Sequence, residues 1–344
     1  MLRPLSIAAN LAPLPTQPAG LEWPTQTWAR AEPEVSDAAA FTHHTGSVFD
    51  LEPAQGVTYA LLVVHKGRLV YERYAHGASP IYTQVSWSIA KSVTQALVGI
   101  AAEQGLVDLY APAPVPEWEG DPRRAKITLD QLLRMSSGLA FREEYADPSE
   151  SDVIPMLAGP GRHDMGAFAA GFPLSHEPGS VFSYSSGTSN IIGRILRDAI
   201  GGPTEMLKFM REHLFEPIGV RSALPSFDTA GTFTGSSWLH MIPEDYARFG
   251  LLYLRDGVWD GRRVLPAGWV DYARSPTHDD GEEAYGAHWW LRPAGTSVFY
   301  ASGYHGQRIV LAPEKDLLVI RLGRTDRAEL DTIWSSVFAL LELF

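Results

Sequence analysis

Two stretches with the period of two that marks half-buried strands lie near opposite ends of the chain, and segments of helical periodicity fill the space between them. Val57 to Val64 is rich in β-branched and aliphatic residues, Lys66-Gly67 is a turn signal, and Arg68 to Tyr74 alternates, which together predict a hairpin. Late in the chain, Gln307 to Leu311 and Leu317 to Leu322 flank the turn-like Ala312-Pro313-Glu314-Lys315-Asp316, and the amphipathic stretch from about Ala328 to Leu343 predicts a closing helix. Between them, Ser88 to Gln104 carries Ile89, Val93, Leu97 and Ile100 at helical spacing before Gly105 stops the pattern. Further helices are predicted over Leu129 to Met135, Asn190 to Ala199, Glu205 to Leu214 and Pro243 to Leu254. Strands at the ends and helices in the middle give an α+β order, a mainly antiparallel sheet completed by both termini and flanked by helices. Residues 1 to about 50, rich in Pro, Ala and Thr and without sustained periodicity, are expected to form an extended arm. The resulting division is an arm (1–50), a sheet domain (51–87 and 240–344) and a mostly helical domain (88–239), with an active site between the last two.

Composition narrows the chemistry. With 344 residues and 45% hydrophobic content the chain can bury a large core. A formal net charge of -12 and the lack of any basic run argue against nucleic acid as a partner. The absence of cysteine excludes disulfides, thiol nucleophiles, thiolate zinc sites and iron–sulfur clusters. Prolines interrupt the first twenty residues where a signal peptide needs about 7–15 continuous apolar ones, so a cytoplasmic location is expected. No run approaches the roughly 18 apolar residues of a membrane span, and no membrane partner is expected. There is no His-Glu-x-x-His, and the neighbouring His43-His44 in the arm reads as a surface pair, so neither a metal nor a cofactor is expected.

Three stretches carry candidate chemistry. In Ser88-Ile89-Ala90-Lys91, a serine and a lysine three apart share one helix face, so the amine can reach the hydroxyl. A helix cap next to a solvated lysine would look the same, but the surrounding pattern is strongly apolar and Lys91 is the only Lys, Arg, Asp or Glu between Arg73 and Glu103. Tyr184-Ser185-Ser186 lies in a turn-rich loop entering a helix, where a phenol beside a cation such as Lys91 could ionise near neutrality and relay protons. Ala301-Ser302-Gly303-Tyr304-His305-Gly306-Gln307 precedes the late strand, and its glycines permit close approach of backbone to a ligand.

At these residues the chain resembles the serine β-lactamase-like (penicillin-recognising) superfamily, above all the class C β-lactamases, related carboxylesterases and 6-aminohexanoate-dimer (nylon oligomer) hydrolases. The order Ser-x-x-Lys, Tyr-x-Ser and a Gly-containing strand edge matches at Ser88/Lys91, Tyr184/Ser186 and Gly303 to Gly306, and the stretches Ile127 to Leu139 and Pro243 to Gly250 are similar too. The resemblance implies a β-lactamase-like fold and a serine hydrolase, with Ser88 as nucleophile, Lys91 and Tyr184 as proton-transfer pair and the N–H groups of Ser88 and Tyr304 as oxyanion hole. It also implies substrate contacts at Tyr145, Ser186, Gly303 and His305. Two departures matter: Ala301 stands where β-lactamases carry the lysine of Lys-Thr-Gly, and Ser186 where they usually carry asparagine. With no cation at Ala301 to hold a β-lactam carboxylate, uncharged esters and open-chain amides are the expected substrates. Arg308 is the nearest substitute, with its direction in the strand unset by sequence. The acids Glu143, Glu144, Asp147, Glu150 and Asp152 read as a solvated loop.

Other readings stay open at this point: β-lactamase, D-aminopeptidase or D,D-peptidase activity, and a catalytically inactive binding or assembly module on the same fold. The partner expected is a small ester or amide, and a homodimer is left open. No Gly-x-Ser-x-Gly elbow occurs, which disfavours an α/β-hydrolase.

Overall fold

The computed structural model describes residues 3–281, 284–292 and 296–344. Its strands are β1 (Gly56–His65), β2 (Arg68–Tyr74), β3 (Gln84–Val85), β4 (Leu224–Pro225), β5 (Leu239–Met241), β6 (Val258–Trp259), β7 (Arg262–Arg263), β8 (His278–Asp279), β9 (Ala284–Tyr285), β10 (Trp290–Leu291), β11 (Phe299–Gly303), β12 (Gln307–Ala312) and β13 (Leu317–Thr325). The helices are α1 (Ala38–Ser47), α2 (Ile89–Glu103), α3 (Leu129–Leu133), α4 (Val153–Ala158), α5 (Met165–Ala170), α6 (Ser186–Ile200), α7 (Pro203–Met210), α8 (Pro243–Leu254), α9 (Trp269–Ala273) and α10 (Leu330–Leu341). None of the described helices is long and apolar enough to cross a membrane.

Eight strands form the main sheet in the order β2-β1-β13-β12-β11-β10-β9-β8, and every pairing in it is antiparallel. The early hairpin closes against the late one: β1 pairs with β13 from Gly56↔Thr325 to His65↔Leu317. Helices cover both faces of the central strands, which explains why β1 reads as a nearly continuous apolar run rather than an alternation. Leu61, Val63, Val310 and Val319 pack with Phe41 of α1 and Ile333, Val337 and Leu340 of α10. On the other face Ala60, Leu62, Ile309, Leu311 and Ile320 pack with Val93 and Leu97 of α2 and Leu251 and Leu254 of α8. Every residue of α2 except Glu103 is buried, as expected of a helix apolar all round.

The arm is more structured than its composition implies. Asp37 accepts hydrogen bonds from the N–H groups of Ala39 and Ala40 and starts α1, so His43 and His44 are helical. Only Phe41 and Thr45 of α1 are buried, so the segment carries almost no periodic signal, and the cap was the one clue. Upstream of α1, arginines of the body fix the arm by its carbonyls: Arg248 donates to Pro24 (2.7 Å) and Gln26, Arg255 to Pro15 and Arg274 to Ala12. Each of these guanidiniums also pairs with an acid, Asp245, Asp316 and Asp271 respectively. Met1 and Leu2 of the expected arm lie outside the described residues.

The fully buried Arg248–Asp245 pair (2.6 Å) should be the costliest of these to break. Arg248→Met is expected to lower unfolding free energy by about 3–5 kcal/mol, because it strands Asp245 and releases the arm. Urea denaturation followed by tryptophan fluorescence checks it, and a loss within the ±0.5 kcal/mol usual for surface changes would refute the staple.

Candidate active site

Ser88 occupies the N-cap position of α2 with φ −65° and ψ −4°, and its side chain makes no capping bond, so the hydroxyl is available to other side chains. The turn before it is strained: Trp87 has φ 44°, a conformation a bulky L-residue adopts only when its surroundings impose it. What imposes it is Ser86, buried and tied to the segment leading into β5 by Ser86 N–H to Leu239 O (2.7 Å) and Leu239 N–H to Ser86 Oγ (3.1 Å).

Lys91 lies one turn on, with its side chain buried. Its Nζ is 3.0 Å from Ser88 Oγ, 2.9 Å from Ser186 Oγ and 2.9 Å from the Ser236 carbonyl oxygen. A carbonyl can only accept, so one amine hydrogen points at Ser236. Ser186 Oγ donates its own hydrogen to Glu143 Oε1 and therefore receives a second one from the lysine. In the neutral amine the lone pair is then left for Ser88. Burial lowers the Lys91 pKa to about 8, against a smaller upward pull from Glu143, so roughly a tenth of the molecules hold a neutral amine at pH 7.

Tyr184 directly precedes Ser185, which caps α6 by accepting from the Thr188 N–H (3.1 Å). The phenol interacts with Ser88, and the Lys91 amine lies 4.9 Å from the ring centroid. Phenolate formation near neutrality was the expectation from sequence, but here burial and the Glu143 carboxylate push the Tyr184 pKa above the ordinary phenol value, outweighing the opposing pull of Ser88 and Arg308. The resting group is therefore a phenol, and of the two groups the lysine is the one whose pKa is brought toward neutrality.

Glu143 is the residue that sequence reasoning misplaced. It was grouped with the solvated acids, yet it accepts from the backbone N–H of Ser186 (2.7 Å), from Ser186 Oγ and from the Tyr145 hydroxyl (2.6 Å). The available signal was on the helix, not the loop: α6 opens without an acidic residue in its first turn, so its free N–H groups call for an anion from elsewhere. Asp147 and Glu150 are exposed as expected and Glu144 is half-buried, but Asp152 is buried, accepting from the Arg142 backbone N–H (2.8 Å) and guanidinium.

Tyr145 stands at the mouth, its ring stacked on Tyr304 at 5.3 Å. Both line a cavity of about 400 Å³ together with Ser88, Tyr184, Trp290, Ser302, Gly303, His305 and Arg308. All the site residues named from the sequence line it except Lys91 and Ser186, which are buried and reach it only through the Lys91 bond to Ser88. Gly303, which lines the cavity, also admits a close backbone approach from within the chain. A Cβ there would sit 2.4 Å from the Ser86 carbonyl oxygen, so the glycine is needed for the turn before Ser88 to pack against β11. Among the described residues β10 pairs with only Phe299 and Tyr300, so beyond them β11 offers the cavity an unpaired edge next to Tyr304. The Tyr304–Gly306 turn is held from behind by Arg321, which donates to the carbonyls of His305 (3.0 Å) and Gly306 (3.1 Å). Gln307 adds a bond from Nε2 to the Tyr304 carbonyl (3.2 Å).

The buried His288 was not singled out by sequence. Its Nδ1–H donates to Leu133 O (2.7 Å), so its Nε2 accepts from Ser189 Oγ (2.9 Å), and burial takes its pKa down to about 3. It is a neutral packing element beside the lysine. Among the described residues no group of three or more His, Asp or Glu is placed to hold a metal ion.

The sequence model of the Beta-lactamase family matches residues 50–332. The chain is 26% identical over 285 residues to a 6-aminohexanoate-dimer hydrolase of Paenarthrobacter ureafaciens, covering 77% of this chain and 72% of that one. A Bacillus anthracis protein provisionally assigned as a 6-aminohexanoate-dimer hydrolase superposes with a TM-score of 0.71 at 25% identity, over 83% of this chain and 79% of that one. A family VIII carboxylesterase shares the fold with a TM-score of 0.62 at 14% identity, over 89% of this chain and all of that one.

If Lys91 is the titrating base, kcat/KM for a neutral ester should rise with pH and level off through an apparent pKa near 8, since the neutral amine is the reactive form. Glu143→Gln should move that limb to lower pH, because removing a nearby negative charge disfavours the protonated lysine. A limb that stays in place in the variant would remove Glu143 from the electrostatics of the site.

Proposed function

The chain belongs to the Beta-lactamase family, and on that premise we propose that it is a serine hydrolase cleaving esters or amides through an acyl-enzyme on Ser88. The observation that carries the proposal is the buried Lys91 amine, whose other partners leave it one direction in which to accept a proton, toward Ser88 Oγ. Neutral Lys91 takes the hydroxyl proton as Ser88 Oγ bonds to the substrate carbonyl carbon. The negative charge passes to the carbonyl oxygen, where the N–H groups of Ser88 and Tyr304 stabilise it, the former aided by the N-terminal end of α2. Tyr184 donates its phenolic proton to the departing oxygen or nitrogen as the carbon–leaving-group bond breaks, and is reprotonated at the expense of Lys91. Water then repeats the sequence against the acyl-enzyme, with the same two groups exchanging the proton in reverse.

The names of the relatives support esters and linear amides as the substrate class. Tyr145 and Tyr304 provide an aromatic wall for the group that enters the mouth, and Ser186 acts through its bonds to Lys91 and Glu143 rather than by touching substrate. His305 and Gly303 shape the turn carrying the Tyr304 N–H.

Ser88→Ala should abolish both labelling by a fluorophosphonate probe and turnover of nitrophenyl butyrate, with the circular dichroism spectrum preserved. Turnover that persists in that variant would refute the nucleophile. Lys91→Ala and Tyr184→Phe should each lower the acylation rate by about 10²-fold or more, and the double variant should lose less than the product of the two. Cleanly multiplying losses, or a silent Tyr184→Phe, would refute the shared relay.

A further inference from the structure

On the reading that Lys91 is the base for Ser88, we propose that Asn190 and Thr94 are its positioning residues: they fix the Gly235–Ser236 peptide, and through it the carbonyl that takes one hydrogen of the amine. Three consecutive carbonyls of the segment leading into β5, those of Gly235, Ser236 and Ser237, accept from Thr94 Oγ1 (3.1 Å), Lys91 Nζ (2.9 Å) and Ser86 Oγ (3.2 Å). The first two donors lie one turn apart on α2, and the third belongs to the turn before Ser88. The peptide joining Gly235 to Ser236 is held on both sides, its carbonyl by Thr94 and its N–H by Asn190 Oδ1 (3.3 Å), one turn along α6 from Ser186. Thr94 shares its hydroxyl hydrogen with the Ala90 carbonyl of its own helix (3.1 Å), so it is the weaker of the two supports. Two glycines permit the approach. A Cβ on Gly235 would lie 2.2 Å from Thr94 Oγ1, and one on Gly193 of α6 would lie 2.7 Å from the Phe233 carbonyl oxygen.

Asn190 is more than a packing residue because packing alone would not select it. It is fully buried within α6, and asparagine is a poor helix former. A backbone N–H can only donate, so Oδ1 faces Ser236 and Nδ2 faces away, toward the sulfurs of Met156 (3.5 Å) and Met165 (3.7 Å). Thioethers are weak acceptors, so burying this amide carries a desolvation cost that a leucine of similar size would avoid. The one strong bond it makes is to Ser236. Without that bond a buried N–H is left unpaired, and the peptide turns to find another acceptor, taking the Ser236 carbonyl with it. That carbonyl matters to the amine in two ways. With two hydrogens of neutral Lys91 committed to Ser236 and Ser186, the lone pair has Ser88 as its remaining direction; once the Ser236 acceptor is displaced the amine rotates, and the lone pair faces Ser88 for only part of the time. The acceptor also favours the charged amine over the neutral one, so its loss takes the Lys91 pKa lower still. The titratable groups that face Lys91 are Glu143 from the loop before α4, Tyr184 ahead of α6 and His288 ahead of β10. Substitution at positions 94 and 190 alters none of them, so the base can be disturbed with the charges around it unchanged.

Asn190→Leu and Thr94→Val remove the two supports at nearly constant volume, and Thr94→Ser keeps the hydroxyl. For each variant, the rate of fluorophosphonate labelling of Ser88 and kcat/KM for nitrophenyl butyrate are followed across pH. Asn190→Leu is expected to lower the high-pH plateau of both by about tenfold or more, because the amine no longer points at Ser88, and to displace the limb to lower pH. Thr94→Val should do the same to a smaller extent, and Thr94→Ser should keep the profile of the unmodified protein. A plateau that falls with the limb unmoved makes Asn190 a packing residue and overturns the proposal, as do an unchanged profile and a limb displaced to higher pH. If Asn190→Leu does not fold, the Thr94 pair decides, and identical profiles for the valine and serine variants overturn it. Lys91→Ala keeps the two levels apart. Labelling that survives in that variant removes the base and this proposal with it, whereas labelling that requires Lys91 but is indifferent to positions 94 and 190 removes the proposal alone.

Discussion

The site depends on one amine kept out of water. Lys91 projects from a helix buried on all sides, and everything around it answers to the cost of holding a cation there. Ser186 and Ser236 satisfy two of its hydrogens, Ser88 lies in the remaining direction, and Glu143 supplies enough negative potential, from behind Ser186, to keep the pKa from falling further. The balance of burial against Glu143 places the Lys91 pKa at about 8. Glu143 acts on Tyr184 too, which it helps keep protonated. One carboxylate therefore acts on both groups, favouring the protonated form of each, and it does so while accepting from the first N–H of α6.

Much of this was legible in the chain because it was local. The Ser88–Lys91 spacing within an apolar helix, the Tyr184-Ser185-Ser186 entry into α6, and the two hairpins rest on periods of two and 3.6, and their positions hold to within a few residues. What escaped depended on contacts between distant segments. Nothing around Glu143 distinguishes it from Glu144 until α6 is brought alongside. The orientation of Arg308 follows from the register of β12 against β11, and the reason for Gly303 is the carbonyl of Ser86, more than two hundred residues earlier. α1 was missed for the opposite reason: only two of its residues are buried and its cap is a single aspartate.

The arm and the sheet share a method of attachment. Arg248, Arg255 and Arg274 each hold an acid of the body with part of the guanidinium and a carbonyl of the arm with the rest, so the arm is fixed by backbone groups that any side chain could provide. This is why a segment so rich in proline and so poor in pattern can still be ordered. Arg321 does the same for the Tyr304–Gly306 turn, where a carbonyl clamp fixes the backbone in place and leaves the side chains of the turn to face the cavity.

The pairing of β1 with β13 also governs the order in which the molecule can come into being. The first long strand and α2 are synthesised within the opening third of the chain, but the strand that completes the sheet is among the last segments made. At the ribosome's pace of about 5–20 residues per second, β1 waits for more than ten seconds with one edge open and an apolar face without its cover. Contacts this far apart in sequence make folding slow, and an open apolar edge is what chaperones bind and what aggregation starts from. The cavity at Ser88 thus takes shape late, and a chain cut short before Leu317 holds Ser88, Lys91, Tyr184 and Tyr304 without the strand that completes their sheet.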